Sequence, residues 1–356
     1  MKKIYNPEVD MLKGIGIILM VIGHAGGSFT PFIYLFHMPL FYYISGYTFN
    51  YNYINYKKKF LKNKIKSLYL PFIKYNLIFV LLHNIFVNIH IYSENMLYDR
   101  NTMIINFLKN IIFINTEQIN GGFWFLITLF MGNIIYLLII FMFKSIKDKN
   151  LYIGIIVIIL FILNITVLSN KIIIENSILN YYFIMIRVAI TSLVFIFLGS
   201  LVKQNKLDSK CEYNILVMVV ITIYLYINTK YGSISMGSNE YGSSPTFFVF
   251  NAIIGIILCI LVVKYVKKIN FISRFLVLCG KNTLIILALH MLSFKLVNYI
   301  QIKVYKYPLE YMSAFPYISG THGWWILYSI IGVYLPLIIV LLKNSFINKY
   351  TIRNNT

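Results

Sequence analysis

Apolar runs near the length of a bilayer crossing recur along the whole chain, and this constrains the fold more than any other feature. Ile153 to Leu168 and Ile326 to Leu342 are two of them. A helix needs roughly 20 apolar residues to cross the hydrocarbon core. Membrane β-barrels give weak alternating patterns instead. The runs here are continuous, so the sequence predicts an all-α, polytopic helical membrane protein. The approximate spans are 11–29, 32–50, 67–91, 122–143, 151–169, 181–202, 214–228, 246–263, 282–301 and 323–342, about ten in all. Composition agrees: 59% of residues are hydrophobic and only 12% charged. Too little polar surface is left to face water on all sides.

The net charge of +21 would suggest nucleic acid in a soluble chain. Here the cations lie between apolar runs, where they set orientation. With the N-terminus inside, 23 of the 32 Lys and Arg residues fall in cytoplasmic segments and six in outer loops. The remaining three, Lys74, Arg187 and Lys295, lie within spans. This predicts cytoplasmic N- and C-termini. Lys74 and Lys295 sit near span ends, where long stems can snorkel to the interface. Residues 1–25 read as an uncleaved first helix, because Gly23-His24-Ala25-Gly26 is a poor cleavage site. No internal repeat or soluble domain is visible, so 1–356 reads as one membrane-embedded domain. The longest interruption, 92–121, predicts a short amphipathic helix at the surface. Abundant Asn, Ile, Lys and Tyr suggest an AT-rich genome and carry little functional content.

Ionisable groups inside spans are expensive and tend to serve function. His24, His37, His83, Arg187 and His290 are such groups, mostly at similar depth in the outer half of their spans, with His290 nearer the midplane. They predict a polar cavity open toward the outer face. Lys13 and His24 are eleven residues apart, only about 20° off one helix face and roughly 16 Å apart along the axis. One stripe of the first span thus offers a cation at the inner surface and an imidazole deep in the membrane. Pro39 opens the second span and disturbs the helix there. Gly14, Gly16, Gly23 and Gly46 suit close helix packing. Cys211, Cys259 and Cys279 have neither metal-ligand nor disulfide-framework spacing, and read as structural. No phosphate-binding loop, dinucleotide fingerprint or zinc-protease motif occurs, and no metal is expected.

The stretch from Asp10 to His24, Asp-Met-Leu-Lys-Gly-Ile-Gly-Ile-Ile-Leu-Met-Val-Ile-Gly-His, is followed by Phe36-His-Met-Pro-Leu-Phe-Tyr-Tyr-Ile-Ser-Gly-Tyr47. Together they resemble the opening of the acyltransferase 3 family, above all its fucose 4-O-acetylase-like branch. Phe123-Trp-Phe-Leu126, and Gly280-Lys-Asn-Thr-Leu284 running on to His290, are weaker matches. The resemblance implies transfer of an acyl group, usually acetyl from acetyl-CoA. The acceptor is a hydroxyl on a cell-surface glycan or lipid-linked sugar, and the setting a bacterial cytoplasmic membrane. The family's Arg, ten residues, then His falls on Lys13 and His24. Lys keeps the charge but lacks the bidentate fork for phosphate.

On that implication His24 is the catalytic base, and His37 orients it or shares its role. Lys13, Lys281 and Arg274 meet the phosphates of CoA. Trp124 and Arg187 shape the substrate pocket, either also as oxyanion donor, and His290 either joins that pocket or serves packing. The rival reading is a small-molecule transporter using the same polar cavity. Consumption of acetyl-CoA separates the two.

Overall fold

The computed structural model describes residues 5–168, 174–207 and 212–353, with side chains described as far as 345. Lys2, Lys3, Lys171, Lys210 and Cys211, and the side chains of Lys349 and Arg353, lie outside the described residues. The described chain is a bundle of helices. Its β-structure is one hairpin of two-residue strands, β1 Ile234–Ser235 and β2 Glu240–Tyr241, with Ile234 opposite Tyr241.

The helices are α1 Pro7–His24, α2 Thr30–Tyr34, α3 His37–Tyr47, α4 Lys57–Lys64, α5 Leu70–Asn88, α6 Arg100–Ile111, α7 Trp124–Met142, α8 Lys149–Thr166 and α9 Ser177–Gln204. After these come α10 Ile215–Asn228, α11 Pro245–Val266, α12 Asn270–Lys281, α13 Thr283–Tyr305 and α14 Trp324–Arg353. Many starts are written in the local sequence. Asn6 accepts from the Glu8 amide before Pro7 opens α1, Asp99 caps α6 through Thr102, and Ser244 caps α11 ahead of Pro245. Each cap satisfies an orphan amide, for about 1 kcal/mol.

Among the described residues, seven helices are long and apolar enough to cross a membrane. These are Lys57–Asn88, Gln118–Met142, Lys149–Thr166, Ser177–Gln204, Pro245–Val266, Thr283–Tyr305 and Trp324–Ser345. The other three predicted spans are also helical but shorter or more charged. α1 has 18 residues and carries Glu8, Asp10 and Lys13, while α10 has 14 residues. Residues 32–50 are not one helix. The chain breaks after α2 and restarts at His37, leaving α3 with 11 residues. That is about 16 Å of rise, roughly half the bilayer core. The break is held by Phe36, whose backbone leaves helical geometry and whose ring lies against Gly255 of α11. Pro39 falls in the first turn of α3, where no helical amide bond is lost.

Side-chain polarity is inverted relative to a soluble bundle. Large apolar residues such as Leu216, Met142 and Leu81 point outward, and amides are buried. Asn228 donates to Asn251, Asn120 to Asn76 and Asn164 to Thr191, each across two elements. Part of the asparagine content therefore joins helices, where an unpaired amide in apolar surroundings would cost several kcal/mol. In α6, Asn106 and Asn110 face the protein while Ile104, Ile105 and Leu108 face out, as suits a helix in the interface plane. Lys295 does not snorkel. It is buried and donates to the carbonyls of Met312 and Ala314, pinning the loop before α14.

Contacts gather the basic segments at one end of the bundle. Lys264 and Lys267 pair with Glu8, Lys203 lies over Tyr47, Lys149 over Tyr51 and Lys281 over Tyr5. Two glycine pairs set the helix spacing. A Cβ on Gly14 would meet the Leu276 carbonyl at 2.1 Å, and one on Gly280 the Asp10 carbonyl at 1.8 Å, so α1 and α12 touch backbone to backbone. Gly46 and Gly199 do the same for α3 and α9, at 1.8 Å from Ile196 O and 2.0 Å from Tyr43 O. A side chain at any of the four forces the helices apart. Gly14→Val and Gly46→Val are each expected to cost at least about 1–3 kcal/mol. Gly121→Ala, whose methyl would find its nearest neighbour at 4.0 Å, should be neutral. Thermal melts of the detergent-solubilised protein check this, and equal melts for all three variants would show the contacts are slack.

Candidate active site

A cavity of about 320 Å³ runs along α1 between α3, α7 and α13. That volume lies in the range of small-ligand sites. Lys13, Ile17, Met20 and His24 all line it, at the i, i+4, i+7, i+11 spacing of a single helix face. The predicted stripe therefore exists and faces one continuous space.

At the basic end the walls carry hydroxyls: Ser45 and Thr48 of α3, Ser67, and Thr283 at the start of α13. Ser67 lies in a π-helical turn, Ile65–Tyr69, between α4 and α5. Pro71 follows four residues later and has no amide to give the Ser67 carbonyl, which accounts for the local loss of α geometry. Such π-turns often mark functional positions. Lys13 is paired with Asp10 at 3.1 Å, with one third of its side chain exposed. The N-terminus of the 23-residue α13 adds a partial positive charge beside it.

The opposite end holds the imidazoles. His24 and His37 line the cavity together with Tyr34 and Trp124. The Nδ1 of His37 lies 2.9 Å from the Ile33 carbonyl across the helix break. The Nδ1 of His24 lies 3.0 Å from Nε2 of His290, which is fully buried on α13. Nδ1 of His290 lies 2.9 Å from the Leu287 carbonyl and 3.2 Å from that of Ile286. His290 thus stands behind His24 and is not itself among the cavity-lining residues. The β-hairpin covers this end. Ile234, Ser235, Met236 and Gly237 line the cavity, and Gly237 packs against the Trp124 ring.

The structure does not bring every predicted residue to this space. Arg187 faces α8, where its Nε donates to Asn164 at 3.3 Å, and it lies outside the lining. Lys281 and Arg274 are exposed at the basic end, outside the cavity, with Lys281 over the Tyr5 ring. His83 belongs to a separate buried cluster. Its Nδ1 is 3.1 Å from Glu117, which also accepts from Tyr92 and Tyr98. Tyr34 and the hairpin were not anticipated. The repeated Gly and Ser of residues 232–244 are the only sequence hint of a compact loop there. Among the described residues, no cluster of His, Cys and carboxylates is placed to hold a metal ion.

A bundle of apolar helices, with a cation and an imidazole at the two ends of one internal cavity, defines a membrane-embedded transfer site or a transport path. A family model described as an acyltransferase domain, that of the acyltransferase 3 family, matches residues 6–341, nearly the whole chain. The chain belongs to that family. No curated protein and no solved structure matches it.

The contact between hairpin and Trp124 is testable. A Cβ on Gly237 would stand 2.8 Å from the indole. In a Trp324→Phe, Trp325→Phe background, Gly237→Val is expected to displace Trp124 and shift its fluorescence emission. An unchanged spectrum would mean that the hairpin does not hold the ring.

Proposed function

We propose that this membrane acyltransferase takes an acetyl group from acetyl-CoA and places it on a hydroxyl of a cell-surface glycan or lipid-linked sugar. The observation that carries the reading is the single cavity with Lys13 at one end and His24 at the other. A long donor with an anionic head and a reactive tail suits that layout. The phosphates of CoA would meet Lys13, the hydroxyls of Thr48, Ser67 and Thr283, and the start of α13. Helix N-termini and ammonium groups are both suited to phosphate. The exposed Lys281 and Arg274 lie at the same end and would draw the anion in.

The thioester then lies along the apolar middle of the cavity, by Ile17 and Met20. At the far end His24 takes the proton of the acceptor hydroxyl as its oxygen attacks the thioester carbonyl. The new C–O bond forms, the C–S bond breaks, and the departing thiolate takes the proton back from the imidazolium. A neutral imidazole can take a proton on one nitrogen and return it, and so serves both steps. His37 shares this end and helps to orient the acceptor. Trp124 shapes the pocket floor, and its N–H is the oxyanion donor we favour, since Arg187 is engaged elsewhere.

We further propose about ten membrane segments, with the basic end and both termini in the cytoplasm of a bacterial cell, where acetyl-CoA is made. The hairpin-covered end then faces the acceptor outside. Family membership favours transfer over small-molecule transport.

His24→Ala is expected to lower acetyl-CoA consumption by on the order of 10²–10⁴-fold at normal protein level. Surface-glycan mass spectra of cells carrying it should lose the acyl mass increment. Lys13→Ala is expected to raise KM for acetyl-CoA by about 10–100-fold, the worth of a charge-assisted bond of about 1.5–3 kcal/mol. Lys13→Arg should restore most of that loss. Wild-type consumption by His24→Ala would sink the mechanism, and an unchanged KM in Lys13→Ala would remove Lys13 from the donor site. A reporter fused to the C-terminus should read as cytoplasmic, and a reading outside would reverse the proposed orientation.

A further inference from the structure

The protons on the two coupled imidazoles follow from their partners. A backbone carbonyl only accepts, so His290 Nδ1, 2.9 Å from Leu287 O and 3.2 Å from Ile286 O, must carry a hydrogen. A neutral ring then has its lone pair on Nε2. That nitrogen faces His24 Nδ1 at 3.0 Å, so His24 Nδ1 must be the donor. The lone pair of neutral His24 is left on Nε2. Flipping the His290 ring would lose its bonds on both sides within a fully buried site.

The ring geometry agrees. The planes of His24 and His290 are inclined by only 16° but their centroids are 5.2 Å apart. That separation is the 3.0 Å between the facing nitrogens plus the radii of the two rings. The two histidines therefore meet edge to edge, as an in-plane hydrogen bond requires. Phe294 stands perpendicular to His290 and fixes that ring.

We propose that His290 is a positioning residue that fixes His24 in the Nδ1–H tautomer, so that Nε2 is the atom that takes the acceptor's proton. The assignment deepens the acyl-transfer reading and rests on it for its catalytic meaning. It also separates His24 from His37. The Nδ1–H of His37 is held by the Ile33 carbonyl, which cannot take up a proton. The Nδ1–H of His24 is held by a ring nitrogen that can. When Nε2 of His24 gains the acceptor's proton, the positive charge is shared across the Nδ1–H···Nε2 bond with His290. It is given up again when the thiolate leaves and is protonated from Nε2. The backbone carbonyls at 286 and 287 stabilise whatever share of the charge reaches His290.

The test uses the full-length chain in lipid nanodiscs, with acetyl-CoA as the donor probe, a glycolipid extract of the host cells as acceptor, and thioester consumption as the rate. In parallel, ¹⁵N spectra of histidine-labelled protein are recorded, the His24 signals being assigned by their loss in His24→Gln. In the wild type, His24 should be protonated on Nδ1. His290→Leu should abolish that preference and lower kcat by on the order of 10²–10⁴-fold, as expected when a catalytic imidazole loses its orienting partner. KM for acetyl-CoA should stay within about threefold, because the donor contacts at Lys13 are intact. His290→Gln offers an amide oxygen to His24 and should recover the tautomer and most of kcat. A purely structural role for His290 would move thermal stability and KM but not the tautomer.

A wild-type His24 protonated on Nε2 would overturn the proposal. So would wild-type kcat in His290→Leu, or a His290→Gln as impaired as His290→Leu while His24 keeps its Nδ1 proton. If the wild type consumes no acetyl-CoA, the donor assignment fails by itself. The ¹⁵N spectrum then still decides the positioning role, for it if the proton is on Nδ1 and against it if on Nε2.

Discussion

The meeting of α1 and α12 without intervening side chains is the contact on which the site depends. Gly14 lies on the Leu276 carbonyl and Gly280 on the Asp10 carbonyl. α12 runs through Asn282 straight into α13, so this contact also fixes where α13 stands beside α1. His290 is thereby placed behind His24, and Thr283 beside the Lys13 end of the cavity. In lipid, apolar side chains gain little by leaving the solvent, and association relies on close packing and internal hydrogen bonds. Small residues at the crossing do the first, and the His24–His290 bond is an instance of the second.

Irregular backbone is found where the cavity is. The α2–α3 break sets His37 at its far end, and the π-turn before Pro71 sets Ser67 at its basic end. Inside a bilayer, unpaired backbone groups are tolerated where protein or a cavity surrounds them.

What was legible in the sequence is what a single helix determines. The Lys13–His24 stripe needed only the pitch of α1, and the outward apolar face of α6 only its own periodicity. The family resemblance, carried mainly by residues 10–47, is matched by a family assignment over 6–341. What was not legible depends on partners far away in the chain. His24 and His290 are 266 residues apart, and nothing local to His290 says whether it lines the pocket or backs another ring. Arg187 carried the same cost signal as the histidines, but Asn164 supplies its partner on α8. Lys295 reads as a snorkelling stem because its acceptors, the Met312 and Ala314 carbonyls, lie 17 and 19 residues further on, in the connection before α14. Asparagine looked like a mark of base composition, yet Asn76 and Asn251 lie where a missing amide would leave another one unpaired, and Asn164 ties α8 to Thr191 of α9.

A thioester donor, as proposed above, must be kept from water that would compete with the acceptor hydroxyl, and the shape of this cavity bears on that problem. Its middle is apolar along Ile17, Met20 and Leu129, and its far mouth is covered by the hairpin, with Met236 and Gly237 over Trp124. Few groups there would hold a water molecule beside the thioester, and such a molecule needs two to four polar partners to stay. Gly232 and Gly242 flank the hairpin at φ of 105° and 65°, conformations that a side chain would strain. Tyr241 anchors one strand to Thr191 of α9, and Asn239 in the turn donates to the Ile184 carbonyl of the same helix. With the donor proposed above, enclosing His24 and His37 serves transfer, since a base that is open to water would promote hydrolysis of the acyl group meant for the acceptor.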